Sequence, residues 1–474
     1  MLGYEYTNFS NKGSSLSGFG NAAAGGFGSL GLDYTDYLQT TATGNRSIRS
    51  FNDPTYKLQS FFGRAIFNYK DRYVLTGTLR RDESSKFGAN QRVGYFPSFA
   101  AAWDLSRESF FPAEKLTQLK LRAGFGLTGN QEFPAGAAQD RFEILDNGLQ
   151  RPLNSRNEDL KWQSDRQYNV GIDIGAFNNR LTFSADYFNK QTSDILFPTV
   201  TGQPGPQFQA IFWDNLKNGE IVNKGVEMAL NATLLSNEKT EVSITTNATF
   251  IRNEVKNLVG PAIITGAING QGLSGATAQL ITNGYPINAF FLPQFNGLDD
   301  RGIANPFGPT AYAGSPNPRT LLGFGLNARY SKISLVANMT GVFGQYIYNN
   351  TLNAVGAIGG IGAGKNIALS TFENPIKESP GNAGAASTRY LEKGDFLKMS
   401  NLTLAYALGN VAGFAKGARV YATGQNLFVI TKYDGFDPEV NTVKTGANKV
   451  PSVGIDYLPY PSARTFTFGV SFNL

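Results

Sequence analysis

Along the last ten residues the side chains alternate without a break. Phe466, Phe468, Val470, Phe472 and Leu474 lie between Thr465, Thr467, Gly469, Ser471 and Asn473. A period of two predicts a strand whose two faces meet different surroundings. One face, with three phenylalanines, is too apolar for water, and the other, small and hydroxylic, is too polar for a sandwich core. A strand of about ten such residues fits the wall of a transmembrane barrel with a wet lumen. An edge strand of a soluble sandwich carries the same alternation, so the rest of the chain decides.

The same pattern recurs upstream. Met1 to Ser10 reads as a strand, with Leu2, Tyr4 and Tyr6 on one face, and Asn11 to Asp53 reads as loop because periodicity is lost among Ser, Gly, Ala and Asn. Strands are then predicted over 58–69 and 73–81, joined at 70–72, and over 93–105 and 119–128. The next hairpin sets Val170, Ile172 and Ile174 against Leu181, Phe183, Ala185 and Tyr187, across a turn at Asn178-Asn179. Further pairs follow over 224–235 and 241–251, over 322–330 and 333–340, and over 396–408 and 418–427, before the terminal strand.

The connectors alternate between about 2 to 12 residues and about 10 to 70, which is the asymmetry of an outer-membrane barrel with short periplasmic turns and long extracellular loops. About fourteen strands result, and the last runs down to a periplasmic C-terminus. The expected fold class is an all-β transmembrane antiparallel β-barrel.

Composition sharpens this picture. Glycine (54), phenylalanine (36) and tyrosine (21) are abundant while only 16% of residues are charged, against roughly 25% in soluble domains. No apolar run reaches the length of a membrane helix, so a membrane can be crossed only by strands. The chain has no Cys and no His, which excludes disulfides, thiolate chemistry, ordinary zinc sites and histidine bases, so neither an enzyme nor a cofactor is expected. A net charge of +6, from 42 basic and 36 acidic residues with no long basic block, gives no support to a nucleic-acid partner. Met1-Leu-Gly-Tyr-Glu-Tyr lacks the features of an export signal, so the chain is expected to be less than the exported precursor.

Several stretches resemble one family. They are Arg122–Asn130 (R-A-G-F-G-L-T-G-N), Asn218–Glu227 (N-G-E-I-V-N-K-G-V-E), Ser315–Gly323 (S-P-N-P-R-T-L-L-G), Tyr390–Tyr406 (Y-L-E-K-G-D-F-L-K-M-S-N-L-T-L-A-Y), Arg419–Phe428 (R-V-Y-A-T-G-Q-N-L-F), Tyr433–Val440 (Y-D-G-F-D-P-E-V) and Pro459–Phe468 (P-Y-P-S-A-R-T-F-T-F). In this order they look like the C-terminal barrel of the SusC/RagA family of TonB-linked outer-membrane transporters of Bacteroidota. The similarity runs from about Tyr56 to the end, with a looser match before it. It implies a 22-stranded barrel with an internal plug, a SusD-like lipoprotein on the extracellular side and energy from TonB. The chain departs from that pattern: no plug, N-terminal domain or TonB box is recognisable, and the strands are too few. The whole of 1–474 is therefore expected to be the C-terminal part of such a barrel, with about eight strands and the plug upstream. The alternative is a smaller barrel complete in fourteen strands, since lipid tolerates no open edge.

Gly124-Phe-Gly-Leu-Thr-Gly129 matches a dinucleotide fingerprint but opens no helix, and its glycines are better explained by a lumen face. Asp299-Asp300, and Asp434, Asp437 and Glu439, are acidic loop residues that suit turns better than calcium. Asn-x-Ser/Thr matches such as Asn231-Ala-Thr233 fall in strands and carry no meaning here. Trp162 and Trp213, the latter followed by Asp214 and Asn215, combine an aromatic face with amide and carboxylate groups, as a site that grips a sugar or peptide does. Packing within the loops is the simpler account of them. Arg80, Lys120 and Arg122 fall on the lumen face, where they either tune selectivity or pair with acids.

The expected function is import of an oligosaccharide or peptide by a TonB-dependent transporter, with a SusD-like lipoprotein, TonB and outer-membrane lipid as partners. Its alternatives are a passive porin-like or structural barrel complete in this chain and a secreted, soluble carbohydrate-binding β-protein.

Overall fold

The computed structural model describes residues 1–18, 46–112, 115–144, 148–200, 210–268, 273, 275–304, 308–356, 358–364, 366–367, 369–373, 377–382, 385–411, 415–440 and 450–473. Fourteen strands form one antiparallel sheet in chain order. They are β1 (Leu2–Phe9), β2 (Tyr56–Tyr69), β3 (Tyr73–Ser84), β4 (Val93–Asp104), β5 (Leu116–Asn130), β6 (Gln163–Ala176), β7 (Leu181–Ser193), β8 (Glu220–Ser236), β9 (Thr240–Lys256), β10 (Thr320–Tyr330), β11 (Ile333–Phe343), β12 (Phe396–Val411), β13 (Ala415–Thr431) and β14 (Thr465–Asn473). Every strand expected from the alternation is present, and several extend past the expected ends. The continuations, such as Gln163 to Asn169 of β6, are polar on both faces and so carry no period-two signal.

Register carries the two faces across the whole sheet. On one face Leu335 of β11 stands opposite Leu404 of β12, Leu404 opposite Ala422 of β13, and Ala422 opposite Phe468 of β14. The neighbouring row runs Ile333, Tyr406, Val420 and Val470. Phe466, Phe468 and Val470 keep 63%, 78% and 63% of their surface uncovered, so no second sheet packs on them. In water such a band is untenable, whereas in hydrocarbon it is the required surface. On the other face Asn338 lies opposite Asn401 and Asn401 opposite Gln425, while Thr403 meets Thr423 and Thr423 meets Thr467.

The short connectors lie at one end, between β2 and β3 (70–72), β6 and β7 (177–180), β8 and β9 (237–239) and β10 and β11 (331–332). At the 177–180 turn Asn178 and Asn179 take φ of 56° and 60°, a left-handed geometry that Asn tolerates better than other side chains. The long connectors gather at the opposite end. Two segments expected to be irregular are instead partly regular. Lys12–Gly18 pairs with Arg46–Asn52, and the loops hold short strands at 263–267, 277–281, 289–293 and 310–314 that form a four-stranded sheet. These pieces are shorter than the window in which a period can be read.

Among the described residues β1 pairs only with β2, and β14 only with β13. The sheet therefore has two free edges.

Candidate functional site

The inner wall carries a network of charged side chains. Arg122 of β5 stands opposite Gly171 of β6, which stands opposite Asp186 of β7. Because residue 171 has no side chain, the guanidinium reaches across two strands; a Cβ there would lie 2.1 Å from Asp186 Oδ1 and 2.9 Å from Arg122 Nη2. Arg122 Nε and Nη2 each donate to Asp173 at 2.8 Å, while Nη1 and Nη2 each donate to Asp186 at 2.8 Å. All the donor edges of the fork are engaged, which fixes the group in place.

Arg80 is paired as well. Its Nε donates to Asp82 at 2.7 Å, and its Nη2 to Glu5 at 2.9 Å and Ser60 at 2.8 Å, tying β1, β2 and β3 together. Lys190 pairs with Asp165 at 2.9 Å. Lys120, opposite Asp173, and Glu227, opposite Asp186, are inner-wall charges with no ion-pair partner among the described residues. Of the three cations expected on the lumen face, Arg80 and Arg122 brace the wall through carboxylate pairs, and Lys120 has no ion-pair partner among the described residues.

Inward aromatic rings lie over glycines. A Cβ at Gly3 would come within 2.1 Å of the Phe62 ring, and one at Gly129 within 2.1 Å of Phe96. Gly124, Gly126 and Gly129 all lie within β5, so the fingerprint-like run is part of the wall and opens no helix.

The four residues expected to grip substrate lie in the loop layer, and they come together. Trp162 is buried with Phe87, Phe133, Ala137, Ala138 and Leu160, and Trp213 packs on the edge of this cluster, its ring 5.7 Å from that of Phe133. The Trp162 indole donates to the Arg92 carbonyl at 3.1 Å. Asn215 is buried, its amide donating to the carbonyls of Lys161 and Asp194 at 2.9 and 2.8 Å while its oxygen accepts from the Lys161 N–H at 2.9 Å. Asp214 accepts from the Asn157 amide at 3.3 Å. Trp162 and Asn215 thus join three loops from within, whereas Trp213 and Asp214 are only half-covered.

A second cluster unites the connectors after β9, β11 and β13: Ile268, Leu273, Phe290, Leu292, Tyr348, Tyr390 and Ile455. Polar groups are buried inside it. Asp456 accepts from the Thr351 N–H at 2.9 Å, the Thr351 hydroxyl at 3.0 Å and the Tyr433 hydroxyl at 2.5 Å. Burial pushes the Tyr433 hydroxyl well up, and the neighbouring Asp456 charge adds to this, so Tyr433 remains the donor. Glu378 accepts two 2.8 Å bonds from Arg389, whose guanidinium lies 5.2 Å from the Phe295 ring centre. Burial raises the Glu378 carboxyl, but Arg389 and Asn382 outweigh it and the net shift is downward.

No local pattern in the sequence marks Asp456, Glu378 or Gln279. Gln279 and Val453, for example, bond to each other across 174 positions, a separation at which no local pattern survives. Two of the acidic loop residues serve local turns, Asp299 accepting from the N–H of Arg301 and Ile303 and Asp437 from that of Glu439, while Glu439 pairs with Lys398. Among the described residues no group of three or more acidic side chains could hold a metal ion.

The family profile described as TonB dependent receptor-like, beta-barrel matches residues 2–457. The TonB-dependent receptor SusC of Bacteroides thetaiotaomicron is 30% identical over 450 residues, covering 87% of this chain and 43% of that protein. The TonB-dependent receptor P3 of Formosa agariphila is 28% identical over 466 residues, covering 88% and 45%. Among solved structures, the RagAB peptide importer in its open-open state superposes with a TM-score of 0.77 at 25% identity, over 100% of this chain and 52% of that one. The chain spans about half the length of the relatives it matches. The chain belongs to the TonB-dependent receptor-like β-barrel family, whose members are outer-membrane transporters and receptors rather than enzymes.

Proposed function

We propose that residues 1–474 form the C-terminal fourteen strands of a barrel of about 22 strands, and that the whole protein imports an oligosaccharide or a peptide across the outer membrane with energy from TonB. The observation that carries this reading is the pair of free edges on β1 and β14. In hydrocarbon each unpaired N–H and C=O costs several kcal/mol, so both edges need further strands. About eight more complete the count, and a lumen that wide calls for a plug.

In this arrangement the short turns and the C-terminus are periplasmic, and the long loops are extracellular. A SusD-like lipoprotein covers the loop layer, and TonB engages a part of the protein outside this chain. Trp213 and Asp214 are the substrate contacts, held in place from below by Trp162 and Asn215. Lys120 and Glu227 meet the solute further down the wall. The names of SusC and of the RagAB peptide importer support the class of process.

The test uses the full-length protein in its own host with labelled oligosaccharides and peptides. Uptake of one class is expected, abolished when TonB is deleted. Uptake unchanged by that deletion overturns the proposal.

A further inference from the structure

We propose that a patch of outward-facing cations in two adjacent rows, Arg166, Lys224 and Arg252, binds a phosphate group of an outer-leaflet glycolipid. This rests on the reading that the long loops face the cell exterior.

The register rows locate the cations. Val170, Tyr187, Val226 and Phe250 form one outward row of the apolar band. The next row toward the loops is Tyr168, Asn189, Lys224 and Arg252, and the one beyond it is Arg166, Gln191, Val222 and Glu254. Positive charge therefore begins at the row where the apolar band ends, level with Tyr168 and one row past Tyr187. That is the level of the lipid headgroups, because β8 and β9, at 17 residues each, are longer than the roughly ten needed to cross hydrocarbon.

The pairing state distinguishes these residues from the cations that brace the inner wall. Arg80, Arg122 and Lys190 on the inner wall each have carboxylate partners. Among the described residues Arg166, Lys224 and Arg252 have none. The acid in these outward rows is Glu254, which lies 3.7 Å from Lys256. Lys224 and Arg252 stand directly opposite each other across β8 and β9, and like charges so placed destabilise a sheet unless an anion lies between them. Arg252 also lines a cavity of about 470 Å³ together with Arg319, Tyr285 and Tyr312. Arg319 is exposed and likewise lacks a carboxylate partner among the described residues. A phosphate suits this setting because it accepts the forked bonds of guanidinium groups and satisfies two or three cations at once.

The experiment uses the purified, delipidated full-length receptor, titrated with phosphorylated lipid A and with dephosphorylated lipid A and read by native mass spectrometry. Phosphorylated lipid A is expected to bind, and the variant Lys224→Ser/Arg252→Ser to bind it roughly 25-fold more weakly, at about fivefold per cation. Lys224→Arg/Arg252→Lys keeps both charges and is expected to stay within about threefold. Heat-modifiable gel mobility reports that each variant is folded. Equal binding by the serine variant, equal binding of dephosphorylated lipid A, or full displacement by inorganic phosphate alone overturns the proposal. Ala262→Cys, labelled on intact cells with an impermeant maleimide, tests orientation separately: no labelling sinks the extracellular placement of the loops, whatever the lipid result.

Discussion

The wall and the loop layer are stabilised in opposite ways. Each wall strand contacts its sequence neighbours, and its order depends on hydrogen-bonded ladders whose two faces are sorted by lipid and water. The loop layer joins segments far apart in the chain through small apolar clusters with buried polar groups inside them. The wall therefore tolerates change wherever the sorting of faces is kept. The loop layer depends on a few individual bonds.

Single substitutions can break that contrast. Replacing Asp456 by Ala leaves the Thr351 N–H, the Thr351 hydroxyl and the Tyr433 hydroxyl without their acceptor, at about 1–3 kcal/mol for each orphaned group. The expected result is an early, local opening of the loops, about 4 kcal/mol in total, seen as proteolysis in the connectors before β12 and after β13 while the wall strands stay resistant. Simultaneous loss of both would show that the two regions are one cooperative unit.

Next in size is Phe468→Arg on the outer face, which should lower stability in lipid by about 2–4 kcal/mol. Thr467→Arg, one residue away on the inner face, should cost less than about 1 kcal/mol. Denaturant unfolding in liposomes measures both, and equal losses would refute the assignment of faces.

Arg122→Ala leaves Asp173 and Asp186 side by side, each about one-quarter exposed. The partial exposure screens them, so the expected loss is about 1–2 kcal/mol, smaller still in Arg122→Ala/Asp186→Asn. The smallest effect is a pH dependence in the loops. The folded Glu378 carboxyl is held below its ordinary value, so it binds a proton less readily folded than unfolded. Its contribution is complete above about pH 5 and is lost as pH falls through the ordinary glutamate value near 4 and below it. Protection of the 377–390 segment from hydrogen exchange should decline over that window, and Glu378→Gln should flatten the decline.

The sequence made the wall legible because lipid enforces one rule on every strand. Phe466, Phe468 and Phe472 alternate with Thr, Gly and Ser for the same reason that Val170, Ile172 and Ile174 alternate with Gly171 and Asp173. Strand ends were less legible, since above the membrane both faces of Gln163 to Asn169 meet polar surroundings. The role of Gly171 became visible only with the register, which places it between Arg122 and Asp186. The residues around Trp162 were found from residue type. That signal cannot separate a ring offered to solute from one enclosed by Phe87 and Phe133. Asp456 and Glu378 gave no signal, because a buried carboxylate is recognisable only once its donors are in place.

The bare edges of β1 and β14 also constrain assembly. About half the amides along each edge strand point away from the sheet, and in hydrocarbon every one would carry its full dehydration cost. A sheet with such edges therefore cannot sink into the bilayer while they stay unpaired. Pairing of these margins and entry into lipid are therefore coupled.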